Sequence, residues 1–373
     1  MEALNLENKK IYMGFWNDLP KPFFCLAPMA DVTDPAFRQI VARYSRHGEF
    51  HGGPDVLWTE FVSADGLASE GRDILLRDFE FTEGQHPIVA QIFGSNLANI
   101  EYAARLALLR GFDGIDINMG CPDKTIEKQG AGACMIKTPE LALECIRAAK
   151  RGATSESRQI PVSVKTRIGY NKVEIDEWIP LLLKEGIAAL TIHARTRREL
   201  SKVPARWEYI KKVVEMRDTL GVPTKIIGNG DVADIADGLQ KAQETGCDGL
   251  MIGRAIFGNP WLFDRSRTTL VRGTWKRPWY AFFLPAKLRN KMMGDARYTV
   301  TEVSLEEKLQ ALIQHAYLFE ELLGDIKSFA IMKKHFKAYI HGFSGAKELR
   351  TKLMEKGNTA ASTEEIIREY FSF

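Results

Sequence analysis

Eight short apolar runs dominate the first 260 residues, each ending in small or polar residues and each followed by a helix-like segment. They are FFCLAPM (23–29), VLWTEFV (56–62), PIVAQIFG (87–94), GIDINMG (114–120), PVSVKTRIG (161–169), ALTIHART (189–196), TKIIGNG (224–230) and GLMIGRA (249–255). Runs this continuous fit strands covered on both faces, as in a parallel sheet. Helical periodicity fills the gaps, as in NIEYAARLALLR, PELALECIRAAK and IDEWIPLLLKEG. Eight βα units in about 250 residues predict an α/β protein built as a closed (β/α)8 TIM barrel. The alternative, a doubly wound open sheet, usually has fewer strands and a glycine-rich turn after the first one. Here LAPMADVTDPAF follows the first run, with no G-x-G-x-x-G.

After Pro260 the pattern changes. Residues 265–297 carry nine basic residues and one acidic one, interleaved with Trp275, Trp279, Tyr280, Phe282 and Phe283. From about residue 304 the pattern is helical, and Ser304 with Glu307 and Ser362 with Glu365 read as capping boxes. The expected organisation is therefore a barrel over 1–264, a basic and aromatic linker or insertion over 265–303, and a small C-terminal helical bundle over 304–373. Charge divides the same way. Residues 265–373 hold 19 Lys and Arg against 12 Asp and Glu, a net +7, and the rest of the chain is −4. A basic tail on a slightly acidic body suggests a polyanionic partner, and a solvated helical surface is the competing explanation.

Composition excludes several classes. No stretch approaches the ~20 apolar residues of a membrane span, so no membrane role is expected. The start, MEALNLENKKIYMGF, has no basic segment followed by an apolar core, so no secretory leader is expected. The five cysteines, Cys25, Cys121, Cys134, Cys145 and Cys247, have no paired spacing. An odd, unpatterned set argues for reduced thiols in the cytoplasm, against a disulfide framework and against a metal site.

In a barrel of this kind the active site lies at the carboxyl ends of the strands. Polar or special residues stand at nearly every such end: Pro28 and Met29, Glu60, Gln91, Asn118 and Cys121, Lys165 and Arg167, His193 and Arg195, Asn229 and Asp231, Gly253 and Arg254. IIGNGD and MIGRA follow the seventh and eighth runs, where barrels often bind phosphate. Glycine lets backbone N–H groups approach phosphate oxygens, and Arg254 adds a bidentate contact. A phosphate-bearing cofactor is the expectation. Lys165, near the barrel axis, needs a partner for its charge, and beside a flavin it would stabilise the anionic reduced ring. Gln91 could hydrogen-bond the flavin's polar edge, and His193 could approach the flavin or the substrate.

Cys121 is the reacting-group candidate. Gly120 is expected to permit unusual backbone angles and Pro122 to fix the next φ, holding a thiol at a defined point after the fourth strand. A thiol can act as nucleophile, metal ligand or acid. No second ligand sits at metal spacing, and no partner for a nucleophilic triad stands out, which leaves a proton donor beside a flavin. The other four cysteines read as buried small hydrophobes. The glycine-rich QGAGACM beyond Cys121 reads as a flexible loop near the substrate.

Together these motifs resemble one family, the tRNA-dihydrouridine synthases, of the bacterial type with a C-terminal helical domain. The matching stretches are LAPMADVTDPAFR, QIFGSN, NMGCPDKTIEKQGAGACM, VSVKTRIG, LTIHARTR, GNGDV, GCDGLMIGRAIFGNPWLF and MKKHFKAYIHGFSGAKELR. The resemblance implies an FMN-bound enzyme that reduces uridine in tRNA to 5,6-dihydrouridine, with NADPH as reductant and NADH as the alternative. It implies that Pro28, Met29, Gln91, Lys165 and His193 lie against FMN, and that Asn229, Gly230, Asp231, Gly253 and Arg254 surround its phosphate. Asn118 and Arg195 would touch the uracil, and Cys121 would protonate C5. Lys333, Lys334, Lys337, Lys347 and Arg350 would meet the tRNA backbone, giving affinity and salt sensitivity. A monomer is expected. The long basic 265–303 segment departs from the family pattern and is expected to be an accessory RNA contact, a partner surface, or a basic loop packed on the barrel. The competing function is an FMN barrel oxidoreductase acting on a free small molecule, which would not need a basic tail.

Overall fold

A computed structural model describes residues 11–271 and 297–371 of the chain. All eight apolar runs form strands: β1 Phe23–Leu26, β2 Leu57–Ser63, β3 Ile88–Phe93, β4 Gly114–Met119, β5 Val162–Arg167, β6 Ala189–His193, β7 Lys225–Asn229 and β8 Gly249–Ile252. They lie in the order β1-β8-β7-β6-β5-β4-β3-β2, and every neighbouring pair is parallel. A parallel bridge between Cys25 and Val56, just before β2, closes the ring. The strands are buried almost throughout, which is why they read as continuous apolar runs and not as alternating ones. Helices such as Leu97–Leu109, Pro139–Gly152 and Glu208–Leu220 connect successive strands and cover the outside.

Two apolar layers hold the barrel. One lies between strands and helices and includes Ile92, Ile117, Val164, Ile192 and Leu250. The other fills the amino-terminal end of the barrel, where Trp16 is wholly buried. Its ring sits 5.7 Å from that of Phe23 and 5.8 Å from that of Trp58. This plug leaves the opposite, carboxyl end as the open one.

Beyond the barrel, β9 Thr268–Val271 and β10 Arg297–Val300 pair antiparallel, so the ends of the expected linker meet. Most of the basic and aromatic stretch, residues 272–296, lies outside the described residues, and so does the RNA or partner contact expected of it. Four helices follow: Leu305–Leu323, Met332–Tyr339, Ala346–Lys356 and Ala360–Phe371. Ser304 and Glu307 form the expected reciprocal capping box. The second expected box is not a cap. The last helix begins earlier, and Thr359 Oγ1 accepts the Ser362 N–H at 3.1 Å. Thr359 is a capping residue of the same chemistry three positions upstream, which sequence spacing could not rank against Ser362.

The bundle shares a core with the barrel's first helix, Pro35–Tyr44. Ala36 and Trp261 belong to the bundle's apolar cluster. Phe37 places its ring 5.5 Å from His315 and 5.3 Å from His335. Tyr44 donates its hydroxyl to Gln314 at 2.8 Å. Lys327 bridges Glu60 (2.8 Å) and Asp78 (2.7 Å). Glu60, expected at a strand end, lies in the middle of β2, where the register with β3 shifts between Trp58 and Phe61. The bundle is therefore fixed beside the carboxyl end of the barrel, and no helix among the described residues is long and apolar enough to cross a membrane.

Candidate active site

The loop after β1 makes one wall of the open end. Thr33 fixes it, accepting the Met29 N–H at 2.9 Å and donating its own hydroxyl to the Met29 carbonyl at 3.2 Å. Asp34 then caps the following helix through the Phe37 N–H, with Pro35 in the first turn. Pro28 and Met29 thus present a rigid edge to a cavity of about 380 Å³.

That cavity gathers Lys165 from β5, His193 and Arg195 from the end of β6, Asn229, Gly230 and Asp231 from β7, and Gly253 and Arg254 from β8. Ten residues singled out from the sequence, counting Pro28 and Met29, line this one space. Gln91, Asn118 and Cys121 do not line it. They form a second group on the β3–β4 side, adjoining the cavity through Lys165, whose Cα pairs with that of Asn118.

The electrostatics are cationic. Burial holds Lys165 down at about 8, helped by Arg167 and opposed by Asp116 and Cys121. Its ammonium faces the cavity, and no side chain or carbonyl among the described residues hydrogen-bonds it. Burial, then the charges of Arg167, Lys165, Arg195 and Arg254, push His193 well below its ordinary value, so the ring is neutral. Arg195 Nη1 lies 3.1 Å from His193 Nε2. A guanidinium only donates, so Nε2 accepts and the ring proton sits on Nδ1.

Asp231 organises the phosphate-side turn. Its carboxylate accepts from Arg195, from Arg254 at 2.9 Å and from the Ala205 N–H at 2.9 Å. Despite partial burial these partners hold it below the usual carboxylate range. Gly230 has φ +124°, and a Cβ there would come within 2.9 Å of the Ala205 Cβ and 3.1 Å of His193 Cδ2. The turn requires glycine on both counts. Trp207 Nε1 donates to the Gly230 carbonyl at 2.9 Å, and Asn229 Nδ2 to the Met251 carbonyl at 2.8 Å. Arg254 remains largely exposed at the rim. An unpartnered ammonium, a neutral ring N–H and an exposed guanidinium around a glycine turn suit an anionic, phosphate-bearing ring ligand.

Cys121 follows β4. Gly120 has no unusual φ, contrary to the sequence expectation. Its need for glycine is space, since a Cβ would stand 3.3 Å from the Thr166 backbone. Asn118 Oδ1 accepts the N–H groups of Gly120 (3.0 Å) and Cys121 (2.9 Å). Arg167 Nε donates to the Gly120 carbonyl at 2.7 Å. Arg197, in the loop after β6, grips the next turn, reaching Glu127 at 2.8 Å and the Pro122 carbonyl at 3.3 Å. QGAGACM is not a loose loop. Gly132–Lys137 form a short helical turn, buried from Gly132 to Ile136, and the Ala133 N–H donates to the Cys121 carbonyl at 2.9 Å. Burial raises the Cys121 thiol above its ordinary value; the Asp123 carboxylate adds to the rise, while the Asp123 backbone, Lys165 and Arg167 oppose it. A thiol that keeps its proton at neutral pH, held at a fixed point, can act as an acid. The other four cysteines are buried.

Several expected ligand residues spend their polar groups within the protein. Gln91 is fully buried, with Nε2 on Asp116 (2.6 Å) and Oε1 accepting from Asn118 (3.1 Å). Arg195 donates to His193, Asp231 and the Val203 carbonyl at 2.6 Å. Arg350 donates to the Ile340 carbonyl at 3.1 Å, closing the end of its neighbouring helix. Lys334, half-buried, faces Asp31, Asp34 and Glu60 beside the open end of the barrel. Lys337 and Lys347 are exposed and Lys333 half-buried. Sequence reasoning assigned no role to Asp116, Arg167, Arg197 or Glu127, although Arg167 was visible at a strand end.

The family described as "Dihydrouridine synthase (Dus)" matches residues 25–372. The chain is 38% identical over 349 residues to the "Probable tRNA-dihydrouridine synthase 2" of Bacillus subtilis, covering 93% of each chain. It is 37% identical over 350 residues to the "Probable tRNA-dihydrouridine synthase" of Staphylococcus aureus, again covering 93% of each. A Staphylococcus epidermidis protein of the same description is 38% identical over 355 residues, covering 94% of each.

Proposed function

The chain belongs to the dihydrouridine synthase family, and we propose that it reduces specific uridines of tRNA to 5,6-dihydrouridine, with FMN in the barrel mouth and NADPH as reductant. The observation that carries this reading is the pairing of a fixed, protonated thiol at Cys121 with the cationic, unpartnered ammonium of Lys165 beside a glycine-lined turn. Pro28, Met29, Lys165 and His193 would bear on the ring of FMN, and Asn229, Gly230, Gly253 and Arg254 on its phosphate. Asp231 would serve by aiming Arg254. When bound and reduced by NADPH, FMN supplies the hydride that adds to C6 of the uracil.

The chain's own residues do the rest. Hydride addition at C6 builds negative charge over C5, C4 and O4. Positive groups near that charge stabilise it most where water is excluded, and Lys165 and Arg167 are both buried in this region. Cys121 delivers its proton to C5, and the thiolate left behind regains one from solvent. Its raised pKa favours this role, because the proton is present throughout the neutral range. Arg195, committed to His193 and Asp231, sets the edge that the neutral imidazole presents.

The target base must leave its stack to reach a mouth this deep. The division of labour follows the chain, with a catalytic barrel over 1–264 and a tRNA-holding domain over 304–373. Lys333, Lys334, Lys337 and Lys347 are its backbone contacts, and Arg350 contributes by shaping the surface. The purified chain tests this reading. It should be yellow, with flavin absorbance, and oxidise NADPH in the presence of unmodified tRNA but not of free uridine. Equal turnover of free uridine or an enone would favour a small-molecule reductase instead.

A further inference from the structure

We propose that Asp116 is a positioning residue which, from one layer below the barrel mouth, sets the orientation of the Gln91 and Asn118 amides and through them fixes the loop that carries Cys121. This rests on the reading of Cys121 as the proton donor, and names what holds it in place.

The chain of contacts is short and directional. Asp116 is fully buried on β4, with its Cα paired to that of Gln91 on β3. One carboxylate oxygen accepts from Ser163 Oγ at 2.6 Å and the other from Gln91 Nε2 at 2.6 Å. Gln91 Oε1 then faces Asn118 Nδ2 at 3.1 Å, and Asn118 Oδ1 faces the N–H groups of Gly120 and Cys121. Each primary amide has a donating and an accepting end. The sequence of donors is fixed from both termini, by a carboxylate that only accepts and by two backbone N–H groups that only donate. Reversing either amide would set N–H against N–H at the root of the Cys121 loop, in a buried site where an unmade hydrogen bond is expensive. Burial moves Asp116 up to about 6, with Ser163, Gln91 and Lys165 opposing the rise, so the carboxylate stays ionised at neutral pH. An asparagine at this position can turn either end toward Gln91, so the order is then fixed from one end only, by the two backbone N–H groups, and a minor reversed fraction becomes accessible.

Hydrogen–deuterium exchange of the Gly120 and Cys121 amides, followed in the full holoenzyme by mass spectrometry with residue-level fragmentation, reads this directly. Exchange reports minor populations, so even a small reversed fraction in Asp116→Asn should speed it at least tenfold at both amides. Amides of the helix Glu208–Leu220 should be unchanged. Asp116→Asn combined with Gln91→Glu restores an acceptor facing Asn118. The carboxylate introduced on β3 can accept both from the amide introduced on β4 and from Asn118, and exchange should return to within about threefold of wild type. In Asp116→Asn alone, kcat for dihydrouridine formation should fall at unchanged KM for tRNA, with flavin reduction by NADPH unaffected. Exchange in Asp116→Asn within threefold of wild type would overturn the proposal, as would a double variant as fast as the single one. If Asp116→Asn does not fold, the double variant should, and its failure to fold would equally overturn it. A Cys121→Ala enzyme with undiminished dihydrouridine formation would overturn the proton-donor reading alone and leave the exchange result standing.

Discussion

Lys327→Met tests how the bundle is held against the barrel. The side chain is 17% exposed, and its ammonium lies between Glu60 and Asp78, whose side chains are 6% and 15% exposed. Methionine keeps the stem's bulk and removes the charge. Breaking a buried pair by deleting one partner costs about 3–5 kcal/mol, because the remaining charge is stranded. Here the stranded group can take up a proton. Burial, and then repulsion from Asp78, already bring Glu60 up to about 7 with Lys327 opposing them, and without Lys327 it rises further. A carboxyl whose folded pKa lies above its unfolded value loses stability as pH climbs from the unfolded to the folded pKa. The variant therefore suffers most above pH 7. The expected loss is about 3 kcal/mol at pH 8. At pH 5.5, where Glu60 is protonated in both proteins, it shrinks to about 1 kcal/mol, the worth of the lost hydrogen bonds. Urea unfolding followed by circular dichroism at the two pH values measures both. The same variant should raise KM for tRNA and leave FMN affinity unchanged. A loss below 1 kcal/mol at pH 8, or an equal loss at both pH values, would refute the reasoning.

Three further outcomes are expected. Cys121, raised by burial, should react with iodoacetamide at pH 7.5 more slowly than free cysteine, and its rate should climb only above pH 9; a faster reaction would mean a thiolate and no resident proton. FMN affinity of the apoprotein, measured by fluorescence quenching, should fall as pH rises through about 8, where Lys165 loses its charge, and Lys165→Met should flatten that profile and bind more weakly throughout. Gly230→Ala should weaken FMN at least tenfold and destabilise the fold by about 1–3 kcal/mol, since it forces a side chain into φ +124° and against Ala205; unchanged affinity would show that the turn does not hold the cofactor.

The barrel was legible because a parallel sheet covered on both faces leaves continuous apolar runs, and all eight became strands. The cavity lining was legible for a related reason: polar residues that follow β6, β7 and β8 converge on one space, whereas Gln91 and Asn118 form a network of their own. What stayed hidden depends on partners distant in sequence. Nothing in NMG states that Gly120 is squeezed against Thr166, or that Asn118 turns back onto its own loop. QGAGACM looked loose because glycine signals turns equally well in exposed and buried segments. Charge carries no address, so nothing in the sequence told that Arg350, expected to meet phosphate, also donates to a helix-end carbonyl. Lys327 and Glu60, 267 residues apart, join only where the C-terminal helices pack on the barrel.

Mass spectrometry of unmodified tRNA, incubated with the enzyme and NADPH and then digested to nucleosides, bears most directly on the central claim. Uridine should gain two hydrogens at defined positions with the wild-type chain, and Cys121→Ala should lose nearly all of that product while still binding FMN and accepting electrons from NADPH. Undiminished dihydrouridine from Cys121→Ala, or no such product from the wild type, would contradict it.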